Sequence, residues 1–155
     1  MELYQIHYKK AADFFRAADH LIYVTMPVVQ DVKIIVTVLG NINLALLHGM
    51  DAVLEYERYY KRVLPLATSF DMRFDVFKKR VVGRNGFSNQ EAELIAEIKT
   101  LVDKRKGASM EFTRSGKFII CSEDYNMKTL SLEEIKKYLS TTKTFLVKVN
   151  GMIKN

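Results

Sequence analysis

The sequence predicts an all-α protein, an antiparallel bundle of four to five helices with one small β-hairpin before the C-terminal helix. Three observations carry this. Apolar residues recur at intervals of three and four along most of the chain. Two Ser-x-x-Glu capping boxes, Ser88–Glu91 and Ser131–Glu134, mark helix starts. Strict alternation is confined to Met110–Cys121, where Ser115-Gly116 forms a two-residue turn. With 155 residues, 48% hydrophobic and 27% charged, the chain is a single domain, 1–155, with enough apolar content for its own core.

The first helix is expected over Glu2–Met26, with Tyr4, His7, Ala11, Phe14, Phe15, Ala18, Leu21 and Ile22 inward and Pro27 ending or kinking it. A second runs from Val28 or Asp31 to Val63. Its first half is apolar nearly all round, as a central helix requires. Ala45, Gly49 and Ala52 make a small-residue stripe where a neighbour can come close. Gly40-Asn41 is a candidate break, and Pro65 closes the segment. Ser69 caps a third helix through about Val82, stopped by Gly83, and Arg84-Asn85-Gly86 is a turn. The fourth follows to Lys106, ending at Gly107. Tyr125–Thr129 adds a short extended piece after the hairpin, and the last helix runs to about Met152.

Composition narrows the function classes. The single cysteine, Cys121, forbids an internal disulfide and fits a reducing compartment. The N-terminus MELYQIHYKK has no apolar core of a signal peptide, and polar residues interrupt the most apolar run, Ile34–Leu39, so no bilayer span is expected. These readings point to the cytoplasm without membrane insertion. Phosphate-binding glycine loops and nucleophile elbows are absent from the sequence. His48, Asp51 and Glu55 share one face of the second helix, but a bundle metal site takes ligands from at least two helices and no second Glu-x-x-His exists. The expectation is therefore no metal and no cofactor, with His48, Asp51 and Glu55 as a hydrogen-bonded polar cluster and His7 as a core or boundary histidine.

The net charge is +6, and the basic residues are clustered. Arg58–Arg84 holds eight basic residues (Arg58, Lys61, Arg62, Arg73, Lys78, Lys79, Arg80, Arg84) and two acidic ones. Lys104–Lys117 holds five against one, with Arg114 and Lys117 flanking the hairpin turn. Tyrosines interleave the first cluster, as surfaces that hold phosphates and stack on unpaired bases require. The same cations occupy last helical turns, where they meet the negative end of the helix dipole. The leading expectation is a non-enzymatic protein that binds RNA or a ribonucleoprotein through Arg58, Lys61, Arg62, Lys78, Lys79, Arg80, Arg84, Arg114 and Lys117. A homodimer or other protein–protein module, built on the long apolar second helix, is the alternative.

Two resemblances add to this. Arg16-Ala17-Ala18-Asp19-His20-Leu21-Ile22-Tyr23 resembles the motif of HEPN ribonucleases, small helical bundles that cut RNA across a dimer. It implies His20 as general acid–base and Arg16 as stabiliser of phosphorane-like charge, although Arg16 and His20 stand closer together than in that family, and on the first helix rather than a late one. Asp19–Pro27, Met110–Arg114 and Phe118–Ser122 together look like small archaeal helical proteins without an assigned activity, which implies the fold and an intracellular setting.

Overall fold

A computed structural model of the chain describes residues 1–106, 110–114, 116–121 and 127–154. Gly107, Ser115, Ser122 and Tyr125, invoked above for a helix end, a turn, a resemblance and a strand start, lie outside the described residues. Helices α1 (Leu3–His20), α2 (Met26–Val29), α3 (Ile34–Tyr59), α4 (Phe70–Arg80) and α5 (Asn89–Lys106) precede strands β1 (Met110–Arg114), β2 (Lys117–Cys121) and β3 (Met127–Leu130). Helix α6 (Leu132–Lys154) closes the fold.

α1 lies along α3, and α6 packs on both. Small residues make the close approach possible. Ala11 and Ala18 of α1 and Ala45 and Ala52 of α3 are fully buried. A β-carbon at Gly49 would come within 2.8 Å of the Phe145 ring and 2.9 Å of Leu146 Cδ2, so α3 receives α6 at Gly49. Phe145 meets Phe77 and Phe87 edge to face and ties α4 and the α4–α5 turn into the same core. α5 joins α6 through Tyr138, which donates to Glu97 at 3.0 Å, and through Lys148, which donates to the buried Glu91 at 3.0 Å.

Local chemistry sets the boundaries. Ser69 caps α4 by accepting from the Met72 N–H at 3.3 Å. The Ser88–Glu91 box is reciprocal: Glu91 accepts from the Ser88 N–H at 2.9 Å and donates its own N–H to Ser88 Oγ at 3.3 Å. At α6 Ser131 Oγ accepts from the Glu134 N–H, while the Glu134 carboxylate reaches Lys128 Nζ at 3.6 Å. The turn after α4 places Asn85 and Gly86 both at positive φ, with the Phe87 N–H donating to Arg84 at 3.1 Å. The hairpin has the expected register, Arg114 opposite Lys117. β3 extends it to an antiparallel sheet of order β1-β2-β3 with Phe118 opposite Leu130, both buried.

The structure decides two open boundaries and corrects a third. Pro27 does not end the first helix at Met26. Leu21–Thr25 widens to a π-turn, with the Met26 N–H donating to Leu21, and the chain carries on to Val29. The wider turn takes in a residue that has no N–H and whose ring presses on the preceding turn; Gln30, at φ +56°, then stops the helix. Gly40-Asn41 does not break α3, which is continuous over 26 residues. α3 also stops at Tyr59 rather than Val63. Lys61 adopts φ +59°, its N–H donates to Arg58 and the Arg62 N–H donates to Glu57, which is a Schellman motif four residues ahead of Pro65.

α3 is also, by length and composition, apolar enough to cross a membrane, contrary to the reading of its sequence. Asn41, Asn43 and His48 are uncharged and lower the average too little. In the fold, half of that stretch is buried within the bundle.

Candidate functional site

The C-terminal end of α3 is where charge and aromatic surface meet. The Schellman turn sends Arg62 back over the helix it has just left. Its guanidinium makes two bonds to the buried Glu57, at 2.6 and 3.3 Å. It also lies 5.5 Å from the Tyr56 ring centre and 5.2 Å from that of Tyr60, within cation–π reach. Glu57 and burial oppose each other at this guanidinium, and the hydrogen-bonded carboxylate prevails, raising its pKa. Tyr4 of α1 meets Tyr56 and Tyr59, and Tyr59 meets Tyr60 at 5.0 Å, leaving Tyr59 and Tyr60 about half exposed.

Two clefts share Arg62. One, of about 830 Å³, lies between the Tyr60–Ser69 connection and α4. Its charged lining is Lys61, Arg62, Lys79 and Arg80 with Asp71 and Asp75, and its apolar lining includes Pro65, Met72 and Val76. The other, of about 400 Å³, is lined by Tyr56, Glu57, Arg62, Arg84, Asn85 and Met152. α4 is only 11 residues long, roughly 16 Å at 1.5 Å per residue. Its basic C-terminus therefore stays near the basic end of α3. Lys79 pairs with Asp75 at 3.1 Å, whereas Lys61, Arg80 and Arg84 have no carboxylate partner among the described residues.

The other sequence-predicted cations fall elsewhere. Arg58 is bound to the buried Glu55 at 2.7 Å. Lys78 lies over the Phe74 ring on the side of α4 that faces α5. Arg114 and Lys117 are exposed at the hairpin tip, next to the Phe118–Leu130 pair that leads into α6. The smaller of the two clefts adjoins Met152 at the other end of α6, roughly 30 Å along the helix, and shares Arg62 with the larger. The hairpin therefore does not join the cleft. Arg16 is exposed and pairs with Asp13, and His20 is exposed; both lie outside the residues that line these two clefts.

A second constellation forms where α1 crosses α3. His7 Nδ1 and His48 Nδ1 are 3.0 Å apart, with opposite tautomers so that one ring donates to the other. Phe14 stacks on the His48 ring, 5.7 Å between centres and 5° between planes. Asp51, one turn on, accepts from Arg73 Nε of α4 at 2.9 Å. The same guanidinium reaches the Ala67 carbonyl at 3.2 Å and the buried Glu55 at 3.6 Å. Burial holds both imidazoles below their ordinary pKa; Asp51 opposes this, while Lys10, and for His48 the His7 ring, reinforces it. The expected polar cluster on α3 is present, but its second helix was missed. His7 was legible only as one member of an apolar stripe, and Arg73 only as one cation in a basic run. No signal within either helix relates positions 41 residues apart.

No protein-family model, curated protein or solved structure matches the chain.

Proposed function

We propose that the chain is a cytosolic, non-enzymatic helical bundle that binds RNA, free or within a ribonucleoprotein, on the face built around Arg62. One observation carries the reading. Arg62 lines both clefts, so Lys61, Lys79 and Arg80 on one side and Arg84 on the other surround a single point. Three of these cations lack a carboxylate partner and are available to phosphates. The half-exposed Tyr59 and Tyr60 beside them offer aromatic faces to unpaired bases. A binder that recognises backbone charge and base faces needs this pairing of unpaired cations with exposed rings, and needs no nucleophile.

The test is fluorescence anisotropy of a labelled mixed-sequence RNA titrated with salt. Binding should weaken linearly in log–log form, and the variant Lys61→Glu/Arg80→Glu/Arg84→Glu should flatten the slope by about 0.7 for each phosphate that it no longer neutralises. Affinity and slope unchanged in the triple variant would defeat the assignment. Mutating Arg114 and Lys117 together should leave both unchanged, because the hairpin tip stands at the far end of α6.

A further inference from the structure

We infer that His7, His48 and Asp51 form a binding site for one divalent transition-metal cation of the Zn²⁺ class, joining α1 to α3. One donor atom from each residue lies within 4.8 Å of the others. The two Nδ1 atoms are 3.0 Å apart, and an ion at the usual 2.0–2.1 Å from each nitrogen would subtend roughly 95° between them. That angle lies close to octahedral, and a few tenths of an ångström of opening reaches tetrahedral. The hydrogen-bonded pair thus already has nearly the nitrogen spacing that a chelated ion needs, and chelation turns each ring so that its Nδ1 lone pair meets the ion rather than the other nitrogen. Chelation moves the Nδ1 proton of the donating ring to its own Nε2, a change of tautomer without loss of a proton.

The donor set selects the ion. Two imidazoles and one carboxylate suit Zn²⁺ and its first-row neighbours, whereas Ca²⁺ and Mg²⁺ take oxygen ligands. All three residues are half-buried, so the site is partly shielded and keeps an open side for water. The surroundings hold the ligands in place. Phe14 stacks on the His48 ring, and Arg73 orients the Asp51 carboxylate through Oδ1, as outer partners of metal ligands do. The charges facing the site nearly balance, Asp51 and Glu55 against Arg73 and Lys10, so the field opposes a cation little.

The experiment is isothermal titration of the full chain, stripped with EDTA, with Zn²⁺ alone. Uptake of one Zn²⁺ per chain is expected. His7→Gln and His48→Gln should each weaken it by about tenfold or more, since the loss of even an outer partner costs 10–100-fold. Asp51→Asn, which keeps the side-chain volume, should weaken it as well, and His20→Ala should leave it unchanged. Absence of one-to-one uptake by the parent chain, or uptake that persists in the His7→Gln/His48→Gln double variant, would overturn the site. Should the glutamine variants fail to fold, Co²⁺ loaded into the parent chain gives a variant-free readout. Paramagnetic shifts centred on the His7 and His48 rings support the site, and shifts confined to His20 refute it.

Discussion

Two charged regions sit at successive turns of one helix and are built in opposite ways. Around His48, Asp51 and Glu55, α3 is covered by α1 and α4, and the charged groups are bonded to one another: Arg73 serves Asp51 and Glu55, Glu55 also holds Arg58, and the histidines hold each other. Around Tyr59–Arg62 the helix emerges from its neighbours, and Lys61, Arg80 and Arg84 face solvent with no carboxylate partner among the described residues. A covered carboxylate must be satisfied within the fold because desolvation without a partner costs several kcal/mol. An exposed cation carries no such demand and remains free to meet a partner. By sequence Arg73 belongs to the same basic run as Lys61, Arg80 and Arg84; burial against Asp51 and Glu55 separates it from them.

The comparison breaks most sharply at Arg73. Arg73→Ala leaves Asp51 and the buried Glu55 without their shared partner and should destabilise the chain by about 3 kcal/mol in urea unfolding, the scale for breaking a covered ion pair. A loss below about 0.5 kcal/mol, the range of ordinary surface substitutions, would place this cluster with the exposed cations instead. Gly49→Val tests whether the covered part of α3 is as tight as the packing implies. Its β-carbon meets the fully buried Phe145, and a cost of about 2 kcal/mol is expected from overpacking.

pH sharpens the contrast further. In the chain held metal-free with EDTA, the covered histidines have folded pKa values below their ordinary 6.5. Between the folded and unfolded values the unfolded chain binds more protons, so stability rises with pH there. Their contribution is fully present above 6.5 and is lost as pH falls through that value toward the folded pKa. Thermal midpoints measured across this window should therefore drop on acidification, and His48→Gln should flatten the drop.

Lys61 gives a smaller effect of opposite sign. It occupies the left-handed position that glycine usually fills, so Lys61→Gly should stabilise the chain by about 1 kcal/mol while removing one cleft cation. Smallest per position, Lys61→Glu/Arg80→Glu/Arg84→Glu should shift stability by no more than about 0.5 kcal/mol at each site, with its consequence appearing in RNA affinity instead.

Much of the fold was legible because its signals are local. The Ser88–Glu91 box, the Asn85-Gly86 turn and the Arg114–Lys117 register each depend on residues within a few positions of one another. The small-residue stripe marked Gly49 as a point of close approach on α3, though not that α6 would fill it. Which of the two outcomes open at Pro27 holds was not legible, because a π-turn inserted just ahead of the proline leaves no mark in apolar spacing. For the candidate cleft, the cations and tyrosines could be named, but not that Lys79, Arg80 and Arg84 gather at Arg62 while Arg114 and Lys117 stand apart. That depended on how short α4 is and on which end of α6 the hairpin adjoins.

The sequence by itself determined the main helical runs, the Ser69 and Ser88 caps, the hairpin and the excess of positive charge, since each follows from spacing, hydrogen-bonding groups or composition within one segment. Only the tertiary structure decided which charges are covered and which are free. It brought His7 to His48 across 41 residues and Arg73 to Asp51 across 22. Those meetings are set by how α1 and α4 seat on α3, an outcome of packing the whole apolar core, and no single segment encodes it.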